Sequence, residues 1–124
     1  MTYRTYGTTV AGKQPSEGAE MATFFNALPT RYKAIALHIR NEGRRSARQM
    51  AAQKAQGGFV KGASDIIIPG RPTFVCELKS RNKGASPTQE QVDYLEAAAS
   101  VGAFACLAYG YEAALEAFGE WLDQ

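Results

Sequence analysis

Residues 65–80 read DIIIPGRPTFVCELKS and predict a β-hairpin. Three consecutive isoleucines form a short buried strand, the run PGRP at 69–72 forms a turn, and residues 73–80 form the second strand. Side chains alternate between the two faces of a strand. Two sets of side chains therefore point to opposite sides: Phe74, Cys76 and Leu78, and Val75, Glu77 and Lys79.

The segments after the hairpin predict a helix, a strand and a second helix. Ser86 at the N-cap and Pro87 at the first helical position begin a helix that runs to residue 101. An apolar strand over 103–109 and an amphipathic helix over 111–122 follow. A strand–helix–strand step of this kind favours a sheet covered by helices.

The segments before the hairpin predict three further elements. Ser16 caps a helix over 17–28, residues 34–40 have the alternation of a strand, and residues 44–56 are rich in helix formers. The predicted fold is α/β, with a mixed central β-sheet flanked by helices and the order α-β-α-β-β-α-β-α.

The length of 124 residues allows one compact domain. We predict a flexible N-terminal arm over 1–15 and a single domain over 16–124. No apolar run approaches the roughly 20 residues that cross a bilayer, and no secretory signal is recognisable. Cys76 and Cys106 lie in apolar β-like runs, which predicts buried free thiols in a reducing cytoplasm.

The net charge of +2 hides a strong asymmetry along the chain. Residues 31–61 carry eight basic side chains and one acidic side chain, whereas residues 84–124 carry seven acidic side chains and no basic one. A basic middle segment indicates a polyanion as partner, although a solvated charged surface explains it equally simply. The candidate nucleic-acid-binding residues are Arg44, Arg45, Arg48, Lys54 and Lys61.

The hairpin also brings together groups that can do chemistry. Asp65 begins one strand and Glu77 lies near the end of its partner, and two such carboxylates can hold a hard divalent cation. Lys79, on the same face as Glu77, can orient a water molecule and stabilise phosphate charge. The simpler alternative is a surface Glu–Lys pair on an ordinary strand.

The order of these motifs resembles the VRR-NUC family of the PD-(D/E)xK nuclease superfamily. The pattern of that family begins with a G-x-P-D run and a turn. An apolar strand ending in E-x-K follows, and then an S-P-x-Q run. GASD at 62–65, ELK at 77–79 and SPTQ at 86–89 match this pattern, and HIRNEGRRS at 38–46 and GYEAALEAF at 110–118 resemble two further family segments. Ser64 replaces the proline of the motif, and Arg40 stands where the family often has proline.

The resemblance implies a restriction-endonuclease-like fold and a set of site residues. Asp65, Glu77 and the Leu78 carbonyl would bind Mg²⁺ or Mn²⁺, and Lys79 would position the attacking water. Gln89 would lie near the water or the phosphate, although Ser86 and Gln89 also have the spacing of a capping box. The acid of the first helix would be Glu17, with Glu20 as the alternative.

The function implied by the resemblance is that of a metal-dependent, structure-specific DNA endonuclease of phage or bacterial type. Its substrate would be branched DNA, as for a Holliday-junction resolvase or a flap nuclease. The main alternative is a non-catalytic nucleic-acid-binding module on the same fold, and the third is a protein-interaction domain.

Symmetric cutting of a junction needs two sites, and we therefore predict a homodimer. The last helix offers a surface for it through Tyr111, Leu115, Phe118 and Trp121, unless these side chains complete the core of the monomer.

Overall fold

The computed structural model describes residues 2–40 and 47–124, which form a five-stranded sheet flanked by helices. The strands run in the spatial order β1-β5-β4-β3-β2, and β2 and β1 are the two edges. This confirms the predicted α/β class with a mixed central sheet. The elements in chain order are β1 (Arg4–Tyr6), α1 (Glu17–Ala27), α2 (Thr30–Lys33), β2 (Leu37–His38), α3 (Ala47–Gln56), β3 (Ile66–Ile68), β4 (Phe74–Lys79), α4 (Gln89–Ser100), β5 (Phe104–Tyr109) and α5 (Tyr111–Leu122).

The predicted hairpin forms the middle of the sheet. Strands β3 and β4 are antiparallel, with Ile66 opposite Cys76, and β4 continues into β5 through α4 as a parallel pair. Because β4 and β5 are buried on both faces, their sequences are almost continuously apolar.

The two faces of the sheet pack differently. Phe74, Cys76 and Leu78 belong to the larger core, which α1 and α5 cover, and Val75 belongs to the smaller core beneath α4. The alternation predicted for residues 73–80 is therefore confirmed. Cys76 and Cys106 are buried free thiols, as predicted.

The N-terminal segment differs from the predicted flexible arm. Arg4–Tyr6 form an edge strand that pairs in parallel with β5, and the Val10 N–H donates to the Arg81 carbonyl at 2.8 Å. The side-chain oxygen of Asn82 also accepts from the Gln14 N–H at 2.9 Å. Because three residues are too few to show a period, only the available edge of β5 reveals this strand.

Several predicted boundaries also shift. Helix α4 begins after Thr88 and not after Ser86, because the Thr88 hydroxyl accepts from the Gln91 N–H and the Gln91 side chain accepts from the Thr88 N–H. This capping box replaces the one predicted for Ser86 and Gln89. Strand β2 is shorter than 34–40, and α2 was not predicted. The first residues of the helix predicted over 44–56 lie outside the described residues.

The aromatic side chains of α5 complete the core of the monomer. Phe118 and Trp121 are buried, and Tyr111 and Leu115 pack against the same core. The Trp121 ring also contacts Tyr32 and Phe74. Phe118 and Trp121 therefore belong to the core of the monomer, whereas Tyr111 and Leu115 are partly exposed, and the homodimer stays a prediction. Within the described part of the chain, no helix combines the length and hydropathy that a membrane span needs.

Candidate active site

The hairpin register places Asp65 beside Glu77 on one face of the sheet. Ile66 pairs with Cys76. Asp65, the residue before Ile66, therefore lies opposite Glu77, the residue after Cys76. The Ile39 N–H donates to the Asp65 carbonyl at 2.7 Å, which anchors Asp65 to the edge strand as well. Asp65 Oδ2 in turn accepts from the Leu78 N–H at 3.1 Å. The predicted pair of carboxylates is therefore assembled by backbone pairing and held by a backbone donor.

Both carboxyl groups are removed from water. Asp65 is 4% exposed and Glu77 is 0% exposed. Neither side-chain oxygen of Glu77 has a hydrogen-bond partner among the described residues. Burial, and after it the adjacent Asp65 carboxyl, raises the pKa of Glu77 from 4.5 to about 10. A buried carboxyl without hydrogen-bond partners is costly unless it holds a proton or faces a cation.

This raised pKa predicts that the stability of the metal-free protein falls with pH. Between pH 4.5 and about 10 the folded protein holds a proton on Glu77 that the unfolded chain has lost. The free energy of unfolding should therefore decrease as pH rises, by at most about 1.4 kcal/mol per pH unit from this group. Glu77→Gln removes the titration, so its stability advantage over wild type should grow between pH 6 and pH 8. Urea unfolding with a chelator present measures the difference, and a gap independent of pH would contradict the prediction.

Lys79 provides the positive charge of the site. Its Nζ lies 3.8 Å from Glu77 Oε2 and 3.9 Å from Glu17 Oε1, and its side chain is 13% exposed. Ser16 begins α1 with its hydroxyl accepting from the Ala19 N–H, and Glu17 is therefore the first residue of that helix. Of the two candidate acids on α1, Glu17 is the one that meets Lys79.

Glu20 points to a different part of the molecule. It is 1% exposed, its Oε1 accepts from the Tyr111 N–H at 3.1 Å, and its Oε2 accepts from Arg81 Nε at 3.3 Å. A carboxylate at the first N–H of α5 is in the favourable position for the helix dipole. Glu20 therefore joins α1 to α5, which is a structural role.

Glu20→Ala should accordingly destabilise the protein by about 3 kcal/mol. The substitution leaves the partly buried Arg81 guanidinium and the Tyr111 N–H without their acceptor. Urea denaturation measures the change. Glu116→Ala on the neighbouring helix α5 is the control and should be nearly neutral, because residue 116 is exposed. An equal, small effect of both substitutions would contradict the structural role.

A comparison with solved structures supports the fold assignment. A chain described as "VRR_NUC domain protein" superposes with a TM-score of 0.71 and 18% sequence identity, over 90% of this chain and 92% of that chain. This chain has a VRR-NUC fold. No protein-family model and no curated protein matches the sequence. The VRR-NUC resemblance deduced from the motifs is therefore confirmed for the fold.

The side chain of the glutamine predicted near the site makes a hydrogen bond within α4. Gln89 is exposed, and its side-chain nitrogen donates to Asp93 Oδ1 at 2.8 Å. A neighbouring glutamine, Gln91, lines a small cavity of about 170 Å³ together with Asp65 and Lys61. The motifs that match the VRR-NUC pattern do not include Gln91. Recognition of Thr88 as the N-cap would have found it, because Gln91 is the reciprocal partner in that capping box.

Gly62 explains how the loop before Asp65 reaches α4. Its φ is +82°, and a Cβ there would lie 2.5 Å from the Glu90 backbone. The glycine of the G-x-P-D pattern thus allows close contact between the loop and the first turn of α4. Lys61, the preceding residue, lines the small cavity together with Asp65. Ser64, which replaces the proline of the pattern, is fully buried.

The other predicted basic residues lie on α3 or outside the described residues. Arg48 and Lys54 are exposed on α3, and Lys61 is exposed at the small cavity. Arg44 and Arg45 fall within 41–46, outside the described residues. His38 packs against Phe25, on the sheet face opposite Glu77, because it pairs with Ile66.

The site of this VRR-NUC fold has a donor set that fits a hard divalent cation. Asp65 and Glu77 supply buried carboxylate oxygens, two of them without any hydrogen-bond partner among the described residues. No group of three or more His, Cys, Asp or Glu side chains suited to a metal occurs in 2–40 and 47–124. Mg²⁺ is commonly held by one or two carboxylates, with water and substrate oxygens completing its shell. Leu78, whose carbonyl was the predicted third ligand, lies next to Glu77 in β4.

Proposed function

We propose that this protein is a metal-dependent DNA endonuclease that hydrolyses phosphodiester bonds. The observation that carries the proposal is the pair Asp65 and Glu77, buried side by side. Neither Glu77 oxygen has a hydrogen-bond partner among the described residues, and Lys79 Nζ lies 3.8 Å from Glu77 Oε2. An ordinary surface Glu–Lys pair is exposed to water and does not require burial of two carboxylates. The fold shared with a VRR_NUC domain protein supports the same conclusion.

Each residue of the site has a separate task in this proposal. Asp65 and Glu77, with the Leu78 carbonyl, would hold Mg²⁺ or Mn²⁺. When bound, the cation supplies Lewis-acid activation of water and neutralises phosphate charge. Lys79 orients the water for in-line attack and stabilises the charge that develops on the phosphoryl oxygens. Glu17 contributes a negative charge that keeps the Lys79 ammonium group in place.

The substrate is DNA with a branch or another departure from a regular duplex, of the Holliday-junction or flap type. Arg48, Lys54 and Lys61 contact phosphates, together with Arg44 and Arg45, and such contacts position a substrate without reading its sequence. A homodimer would place two sites on one junction. Phe118 and Trp121 of α5 would not form its interface, because these two side chains are already buried in the monomer. The protein would act in the cytoplasm.

The decisive experiment is cleavage of labelled duplex, flap, splayed-arm and four-way-junction DNA with Mg²⁺, with Mn²⁺ and with a chelator. Cleavage that requires the cation and disappears in Asp65→Asn supports the proposal. Binding of the same substrates without cleavage under any condition would instead indicate a non-catalytic nucleic-acid-binding module.

The basic side chains of α3 should contribute to DNA affinity through phosphates alone. Arg48→Glu combined with Lys54→Glu should weaken binding on all substrates, by about tenfold or more at low salt, and should reduce the salt dependence of the affinity. Fluorescence anisotropy at several salt concentrations measures both effects. Lys13→Glu, on the exposed N-terminal segment, is the control. An unchanged affinity and salt slope would show that α3 is merely a solvated surface.

A further inference from the structure

One side of α4 faces an uncovered part of the sheet. Gln91, Tyr94, Ala98 and Val101 follow one another at spacings of three and four residues, so they share one side of the helix. Helix α4 packs on β4 and β5. Its free side and β3 enclose an apolar groove of about 820 Å³.

The groove has a distinct chemical character. Ile67 and Val75 from the sheet contribute to its lining, and Tyr94 is the aromatic residue of its wall. Of the described residues that line it, Arg71 alone is charged, and Arg71 is exposed. The acidic residues Asp93 and Glu96 of α4 do not line it. The groove therefore combines aliphatic surfaces, one aromatic ring and one cation.

The groove and the candidate active site lie next to each other on one face of the sheet. Val75 precedes Glu77 by two residues and Ile67 follows Asp65 by two residues, so all four lie on the same sheet face. Two residues of a strand span about 7 Å. On the helix side, Gln91 belongs to the small cavity that contains Asp65, and Tyr94 belongs to the groove. A strand of nucleic acid that reaches Asp65 and Glu77 can therefore continue into the groove along α4.

We propose that this groove binds unpaired nucleotides next to the phosphodiester held at Asp65 and Glu77. Bases have flat apolar faces that stack on aromatic side chains with little regard to sequence, and Arg71 suits a phosphate. A volume of about 820 Å³ lies in the range of small-ligand pockets and has room for single nucleotides. The inference rests on the proposed nuclease function and makes it more specific. A single-stranded segment beside the cleaved bond is the recognised feature of the substrate.

Two tryptophan variants of α4 test the groove. Ala97 is exposed and lines the groove, so Ala97→Trp should block it without disturbing the core. Ser100 is exposed on the same helix but does not line the groove, and Ser100→Trp is the matched control. Binding is measured without metal by anisotropy of a labelled single-stranded oligonucleotide, a blunt duplex and an oligonucleotide that lacks its bases.

Ala97→Trp should weaken binding of the single strand by about tenfold or more, since the loss of one base stack has an effect of that order. Binding of the duplex and of the base-free strand should change little, and Ser100→Trp should resemble wild type. Tyr94→Ala should reproduce the selective loss. Equal affinities of wild type and Ala97→Trp for the single strand would overturn the proposal.

Two further measurements separate this proposal from its rivals. If Ala97→Trp converts a dimer into a monomer by light scattering and leaves single-strand affinity unchanged, the groove is an interface between copies of the chain, and the proposal is wrong. Cleavage of all DNA forms with unaltered selectivity in Ala97→Trp would also overturn the proposal, while the nuclease function stands. If Ala97→Trp selectively loses single-strand binding but the wild-type protein cleaves no DNA, the groove binds unpaired nucleotides and the nuclease function is refuted.

Discussion

Glu77→Gln should abolish DNA cleavage while the protein remains folded. The amide has nearly the shape of the carboxyl group but lacks the negative charge that a hard divalent cation requires. Its position is fully buried, so no water-exposed carboxylate can substitute for it. Single-turnover cleavage of a branched substrate in saturating Mg²⁺ should fall below detection, and calorimetric titration should show weakened binding of Mg²⁺ or Mn²⁺.

The control for this experiment is Glu112→Gln. Glu112 is another acid of the chain, exposed on α5 and facing Arg81 at 3.8 Å, away from the candidate site. The Glu112→Gln variant should cleave DNA at the wild-type rate. DNA binding by Glu77→Gln, measured without metal, should persist, because the amide replaces a carboxyl group that is already protonated in the metal-free protein. Cleavage at the wild-type rate by Glu77→Gln would exclude Glu77 as a metal ligand and with it the proposed mechanism.

Lys79→Ala should slow cleavage by about 10²–10³-fold with little change in cation affinity. Removal of one positioned group that stabilises transition-state charge commonly has an effect of this size. Lys79 Nζ is near the carboxylates of Glu77 and Glu17, at 3.8 and 3.9 Å, but an ammonium group cannot itself bind a cation. Single-turnover rates and calorimetric titration with Mn²⁺ measure the two quantities separately.

Lys83→Ala is the matched control for Lys79, because Lys83 is an exposed lysine of the loop that follows β4. The Lys83→Ala variant should retain the wild-type rate of DNA cleavage. If Lys79→Ala lost cation binding together with activity, Lys79 would instead hold the two carboxylates in place, and its role would be structural.

Much of the fold was predictable because local patterns and tertiary packing agree. The alternation over 73–80, the turn at 69–72 and the apolar run over 103–109 correspond to β4, the β3–β4 turn and β5. The pairing of Asp65 with Glu77 follows from the same hairpin, because a short turn determines the register of the strands that it joins. The proximity of the two carboxylates and Lys79 was therefore predictable from the sequence alone.

Other features depended on contacts between distant segments. Glu17 and Glu20 are three residues apart on α1, and the sequence left both open as the acid near Lys79. The structure separates them, because Glu20 is satisfied by the Arg81 side chain and the Tyr111 N–H. Likewise, the aromatic residues of α5 are compatible with either an interface or a core, and their packing against the sheet decided for the core.

The sequence by itself determined the hairpin, the alternation of side chains between its two faces, and the two carboxyl groups and one lysine at its end. All of these depend on residues that are close together in the chain. Tertiary structure alone decided that Arg4–Tyr6 form an edge strand and that α4 leaves a groove along β3. Each of these depends on the available edge or surface of another segment. No local pattern carries that information, because hydrogen bonds and packing between distant segments exist only after the chain has folded.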